Sequence, residues 1–496
     1  MSLEPQTLGT QRLAVIDIGS NSVRFVVYQV FGAAFFPTYN EKVLAGLGRD
    51  LRETGRLSPD GKRDTVEALR RFRHLVDARR LKTVLVGATA AMREASDALD
   101  FRHTVRRETG FDIAPVSGVE EARLAAAGVL AEDARSRGIA CDLGGASLEL
   151  VKLTEDGAQG GVSLKLGPFQ VVGDDLRADF APDRQRELLE AGLGTVDMDM
   201  EGKGADALHL VGGAWRNLFH IHMRESGYPL PVLQGYRVAA SEAARFCAWA
   251  RGEGREKVSN WPGISERRRE TLPYSALVLE ALLARFKARE VVVSASGLRE
   301  GLVAEHLKVL RARRSALVDG CRDLARGNLR AEGFARPMAA FLAPAEAHLP
   351  HGFAPADEAR LRGAAHHLAG MGRGLHPDYR VELVFTNVIS APLSGLTHAE
   401  RAYLACILHG SLTSATRTAN DAAVERLLSE PQRRAARAYG AAMRLAVAAC
   451  GRAPDLLPHL SLFWDGKVRI KAHPGFEELI GPRVDGRLDK LNALLG

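Results

Sequence analysis

One internal repeat restricts the fold of this chain more than any other feature. Leu13–Val30 reads LAVIDIGSNSVRFVVYQV, and Gly138–Leu153 reads GIACDLGGASLELVKL. At a constant offset of 125 residues, Asp17 aligns with Asp142, Gly19 with Gly144 and Ser22 with Ser147. Each copy is an apolar run, an Asp-x-Gly turn with small polar residues, and a second apolar run, the pattern of a strand–turn–strand hairpin. A hairpin that is only structural has no need of the same polar residues twice. The repeat therefore predicts two related α/β domains, with their turns facing each other across a cleft.

The turns have a chemistry of their own. Ser20, Asn21 and Ser22 in the first copy, and Gly144, Gly145 and Ser147 in the second, are residues that let backbone N–H groups converge on phosphate oxygens. Asp17 and Asp142, at the ends of the preceding strands, are placed to hold a divalent cation directly or through water.

The surrounding pattern agrees with an α/β reading. Leu13–Ile18, Arg24–Val30, Thr83–Gly87, Gly138–Leu143, Leu148–Leu153, Leu208–Val211 and Glu290–Ser294 read as strands. Gly61–Ala78 and Val119–Ala134 carry apolar residues at helical spacing. Beyond about Glu305, Ala, Leu and Arg at helical spacing dominate, with a strand-like run only at Leu462–Ile470. The predicted domains are 1–125 and 126–305 (both α/β), 306–430 (helical) and 431–496 (small, α+β).

Charge is unevenly spread. The whole chain has 67 Lys+Arg against 60 Asp+Glu, but residues 1–305 have 41 against 42 and residues 306–496 have 26 against 18. A basic C-terminal part suits an anionic partner, although an Arg-rich solvated surface has the same composition. Averaged over the chain, the excess does not point to a nucleic-acid binder. Cys141, Cys247, Cys321, Cys406 and Cys450 are scattered and odd in number, which suits reduced thiols in a cytoplasmic protein. Met1–Gln11 has no signal-peptide pattern, and no apolar run has the length of a membrane span.

Further segments suit the same cleft. In TVLVGATAAMREA (Thr83–Ala95) a buried strand runs into a helix, with Arg93 one turn in; its fork of donors suits a phosphate, while a surface arginine is the plainer reading. LHLVGGAWRNL (Leu208–Leu218) and EVVVSASGLREGL (Glu290–Leu302) have the form of anion-binding helix starts, or simply of tight turns. SGVEEARL (Ser117–Leu124) puts two carboxylates at a helix N-terminus, where the helix dipole alone favours them. Glu120 fits that role, whereas Glu121 is a candidate to orient and deprotonate a water for phosphoanhydride hydrolysis.

Taken together, DIGSNSVRF, VGATAAMREA, SGVEEARL, DLGGASLEL and SGLREGL, in this order, resemble the exopolyphosphatase and guanosine pentaphosphate phosphohydrolase family of the actin, Hsp70 and sugar-kinase superfamily. The resemblance covers about residues 12–305, and the remainder fits the family's long form. It implies two actin-like (ribonuclease H-like) domains forming a cleft, then a mostly helical HD-like domain and a small C-terminal α+β segment. It makes Glu121 the catalytic base and associates Asp142 and Glu149 with the metal and the attacking water. Ser20, Asn21 and Ser22 become the first phosphate loop, Gly144, Gly145 and Ser147 the second, and Arg93 lies beside the terminal phosphates. It implies Mg²⁺, often with K⁺, stepwise release of phosphate from inorganic polyphosphate, and a homodimer. Guanosine pentaphosphate is the alternative substrate, with guanosine tetraphosphate as a related ligand.

Two departures stand out. Leu148 replaces a hydroxyl residue in the second loop. The helical part carries His366, His367, His376, Asp378, His398 and His409 but has no His-Asp dipeptide, so the metal set of an active HD enzyme is not expected. A superfamily kinase and a non-enzymatic nucleotide switch are the rival readings of the same loops; phosphate release without an acceptor separates the first, and ligand binding without phosphate release marks the second.

Overall fold

A computed structural model of the chain describes residues 11–173, 180–198, 204–310, 315–326 and 333–496. The N-terminal Met1–Thr10 stretch, read above for a signal peptide, lies outside the described residues. The chain divides into two compact units, one of Met1–Gly227 with Pro231–Arg314, the other of Tyr228–Leu230 with Ser315–Gly496.

The first unit is built on two sheets that repeat one plan. In the first, β1 (Gln11–Ile18) pairs antiparallel with β2 (Val23–Phe31), β2 with β3 (Ala34–Val43), and β1 parallel with β4 (Val84–Ala88), giving the order β3-β2-β1-β4. In the second, β5 (Gly138–Leu143), β6 (Leu148–Thr154), β7 (Gly157–Leu164) and β8 (Ala207–Val211) stand in the matching order β7-β6-β5-β8, with the same directions. β10 (Glu290–Val293) and β9 (Tyr236–Ala239) extend it beyond β8.

β1 is buried on both faces, so its apolar residues do not alternate with polar ones. Ala14, Ile16 and Ile18 face a core with Phe25, Leu69 and Phe72, in which the rings of Phe25 and Phe72 stack 5.1 Å apart. Leu13 and Val15 face Val26, Tyr28 and Val303. Val303 belongs to the helix Leu298–His306, which follows β10 in the second sheet yet packs on the first. This helix crosses the helix Gly118–Glu132 closely: a Cβ on Gly301 would lie 1.9 Å from the Leu124 carbonyl oxygen, and one on Gly128 would lie 2.3 Å from that of Gly297. Only glycine permits this approach.

Residue 125, read from sequence as the end of the first domain, falls inside Gly118–Glu132. That helix packs on β5, β6 and β7, so the second lobe begins before it.

The second unit is helical, with one hairpin, β11 (Leu460–Trp464) and β12 (Val468–Ala472). Its centre is the helix His398–Leu412, buried almost all round, which starts at a capping box of Thr397 and Glu400. The helix Glu430–Ala449 spans the expected 430/431 boundary and packs along His398–Leu412 inside the same unit. All five cysteines are buried and free. Among the described residues no helix is long and apolar enough to cross a membrane.

Candidate active site

The two Asp-x-Gly turns match down to their backbone hydrogen bonds. Gly19 N–H donates to Ser22 O at 3.0 Å, and Gly144 N–H to Ser147 O at 3.0 Å. The loop after the third strand of each sheet pins the turn. Gly46 and Gly48 N–H donate to Asn21 O (3.1 Å) and Ser20 O (2.8 Å); Gly167 and Phe169 N–H donate to Ala146 O and Gly145 O (3.0 Å each). Ser20 and Asn21 are the counterparts of Gly145 and Ala146 at the same 125-residue offset. A Cβ on Gly145 would press on the Phe169 ring at 3.0 Å.

The strand pairs below the turns differ in charge. Asp17 stands opposite Arg24 in register, and Asp142 opposite Glu149. The offset that equates the two aspartates equates Arg24 with Glu149, so one hairpin carries a cation where the other carries an acid.

On the acidic side, Glu149 is 2% exposed and takes hydrogen bonds from the Ser147 and Ser163 hydroxyls, the latter at 2.8 Å. Ser117 caps the Gly118–Glu132 helix by accepting from Glu120 N–H. Glu120 turns to Arg123, whose Nη2 lies 2.7 Å away, as its helix-start role predicts. Glu121 turns the other way and takes Arg93 Nη1 at 3.2 Å, while Arg93 also donates to Val116 O at 2.9 Å. Arg93 thus holds Glu121.

Burial pushes Glu121 up to about 7, aided by Asp142 and opposed by Arg93. Burial raises Asp142 to about 6, with Arg216 and Arg299 opposing and Asp17 and Glu300 adding. Glu149 is pushed well up by burial, then by Glu121 and Asp142. The carboxylates crowd one another, which favours a cation or a proton between them.

The opposing group is cationic and was not singled out from sequence: Arg24, Lys42, Arg216, Arg268 and Arg299. Arg24 is pulled down to about 10 by burial and by Arg299 and Arg216. Burial lowers the Lys42 ammonium, and Arg268 and Arg24 repel it, bringing it to about 8. Burial and Arg299 lower Arg216 as well. Arg216 had a readable signal: it stands five residues beyond the end of β8, as Arg93 stands five beyond the end of β4. Lys42 and Arg268 reach the group only through tertiary folding. Asp17, expected at a metal, has its Oδ2 in an ion pair with Arg299 Nη1 at 2.9 Å.

Asp142, Glu149 and Glu121 supply hard oxygen donors, and in the first turn Asn21 Oδ1 is buried with no hydrogen-bond partner. Among the described residues no three His, Cys, Asp or Glu side chains form a ready-made cage. This donor set fits Mg²⁺, which keeps waters and takes one or two carboxylates together with substrate phosphates. In the helical unit, His366 Nε2 lies 2.7 Å from the Tyr439 hydroxyl and His398 Nδ1 lies 2.8 Å from that of Tyr228. His409 packs on Phe385, and burial lowers His366, His367 and His409. His376 and Asp378 are exposed.

Residues 26–310, more than half the chain, match the profile of the Ppx/GppA phosphatase family. The chain belongs to that family. Residues 303–496 of this Ppx/GppA phosphatase match a second profile, described as exopolyphosphatase, C-terminal. Among curated relatives, exopolyphosphatase 1 of Mycobacterium leprae is 26% identical over 311 residues, 60% of this chain and 89% of the relative. Exopolyphosphatase 1 of Mycobacterium tuberculosis is 26% identical over 308 residues, 60% and 88%. A solved Ppx/GppA family member from Aquifex aeolicus superposes with a TM-score of 0.52 at 25% identity, covering 62% of this chain and all of the other. An exopolyphosphatase from Cytophaga hutchinsonii gives 0.53 at 20% identity, covering 60% and 98%, a likeness of fold. The Ppx/GppA phosphatase thus has the two-domain actin-like architecture in its first unit and a helical C-terminal part.

Proposed function

We propose that this Ppx/GppA phosphatase is an exopolyphosphatase that removes terminal phosphate from inorganic polyphosphate with Mg²⁺. The observation that carries the reading is Glu121: a carboxylate raised to about 7, held by Arg93, in a cleft with two matched Gly/Ser turns. A general base works best when its pKa lies near the working pH. Glu121 takes a proton from a water while the water oxygen bonds to the terminal phosphorus. The bond from that phosphorus to the bridging oxygen breaks, leaving orthophosphate and a chain shorter by one unit. The two turns and the Arg24, Lys42, Arg216 and Arg268 group hold the last phosphoryl groups in line. Asp142 and Glu149 would hold Mg²⁺, which would supply charge neutralisation on the phosphoryl oxygens.

The mycobacterial relatives' names favour polyphosphate over guanosine pentaphosphate, and the basic balance of residues 306–496 suits a grip on a long polyanion. Phosphate release from both substrates, measured on one preparation, tests the choice; faster turnover of pentaphosphate reverses it. Glu121→Gln is expected to cut phosphate release about 100-fold or more while polyphosphate binding persists. Near-normal turnover in that variant removes Glu121 as the base.

A further inference from the structure

The two aspartates of the repeat are equivalent in sequence and in turn geometry, but their neighbours are not. Asp17 is paired with Arg299, and both side chains are largely buried, at 20% and 16% exposure. Asp142 forms no side-chain hydrogen bond or ion pair among the described residues. Its oxygens face backbone instead: a Cβ on Gly212 would lie 3.3 Å from Oδ1, and one on Gly297 would lie 3.7 Å from Oδ2.

Arg299 sits on a firm mount. Its neighbour Glu300 accepts the Gly297 N–H at 2.9 Å and the Tyr28 hydroxyl, tying the start of the Leu298–His306 helix to β2. One turn of that helix is locked onto Leu124 at Gly301. With backbone and Nη1 both fixed, the guanidinium is held in one orientation. Its Nε is buried without a hydrogen-bond partner, 4.0 Å from the Glu300 carboxylate. The guanidinium charge acts on Arg24, Arg216 and Asp142, lowering all three. A guanidinium so placed lies where the cationic and acidic sides of the cleft meet, the position that the reacting phosphoryl group occupies if the phosphatase reading holds.

We propose that Arg299 binds the reacting phosphoryl group and that Asp17 is a positioning residue that aims it, so that of the two repeated aspartates only Asp142 meets the metal. This rests on the phosphatase reading of the cleft. The duplicated turn has one acid facing a cation of the protein and one facing a cation from solution. A fixed fork of donors on a phosphoryl oxygen gives charge stabilisation with no reorganisation during reaction.

The test separates aiming from simple charge. Calorimetry with tripolyphosphate in the presence of a chelator reads anion binding without metal. Deleting the Asp17 charge ought, on charge alone, to tighten anion binding. On the proposal, Asp17→Asn weakens it about tenfold, Arg299→Gln weakens it as much, and the double variant is no worse than either single one, because the two act as a unit. Tighter or unchanged binding in Asp17→Asn, or additive losses in the double variant, overturns the proposal.

A second arm reads the Mg²⁺ concentration for half-maximal phosphate release. Asp142→Asn is expected to raise it at least tenfold and Asp17→Asn by less than twofold; equal rises make Asp17 a metal ligand and overturn the proposal. Arg299→Lys keeps the charge that the fold needs, and it is expected to lose kcat about 100-fold with KM for Mg²⁺ unchanged; wild-type kcat overturns the proposal. If wild-type protein releases phosphate from neither polyphosphate nor pentaphosphate, the phosphatase reading fails by itself, while the calorimetric arm still reports on the Asp17–Arg299 pair.

Discussion

At the scale of single residues, Glu121, the proposed base, gives a pH signature. A general base must be ionised, so kcat/KM is expected to rise with pH through the range in which Glu121, raised by burial, loses its proton, and then to level off. Arg93 opposes the upward shift, so Arg93→Met is expected to move the rising limb to higher pH; an unmoved limb means that the titration belongs to another group. The same shift has a stability consequence of opposite sense. The folded protein binds this proton more tightly than the unfolded chain, whose carboxylate titrates near its ordinary 4.5. Stability without metal therefore falls as pH rises from about 4.5 to 7 and stops falling above that. Thermal unfolding between pH 5 and 8 reads this slope, which is expected to be shallower in Glu121→Gln. Glu121 was legible in the sequence because a helix start announces itself by its cap and its acids. Lys42 and Arg268 were not, because nothing within a few residues of either marks a site; they join the cationic group only when β3 pairs with β2, setting Lys42 opposite Arg24, and the short helix Glu266–Arg269 is brought near them.

At the scale of elements, the crossing of Gly118–Glu132 and Leu298–His306 matters most, since one helix carries Glu121 and the other Arg299. Gly301→Ala forces the helices apart and is expected to cost about 1–3 kcal/mol of stability, with kcat falling as the two side chains lose their spacing. Gly363, in the helix Pro355–Leu368, has nothing within 4 Å of an added Cβ, so Gly363→Ala is expected to stabilise by up to about 1 kcal/mol. Denaturation midpoints of the two variants check both signs. The strands that sequence revealed include those with dense β-branched runs, such as β1 and β2. Those that it concealed are edge elements. β7 (GAQGGVSL) has three glycines and little strand preference of its own, and it forms because β6 offers it a ladder. β3 contains Pro37 and meets a register shift opposite Val27 and Tyr28, both tolerable at an edge. β9 is only four residues long.

For the whole molecule, the near-neutral charge of residues 1–305 and the excess of bases in 306–496 predict different salt responses for different substrates. KM for long polyphosphate is expected to rise more steeply with salt than KM for tripolyphosphate, since only the long chain reaches charges outside the cleft. Parallel salt titrations check this; equal slopes confine binding to the cleft. The repeated hairpins carry one more consequence. Because Arg24 and Glu149 are the same position with opposite sign, the cleft has an electrical polarity. A linear polyanion drawn to its positive wall meets a negative one beyond it. An internal unit of the polymer would have to thread a second arm past those carboxylates, whereas an end has no second arm to thread. On the proposed reaction, that field favours chain termini over interior bonds, most strongly before a cation neutralises Asp142 and Glu149.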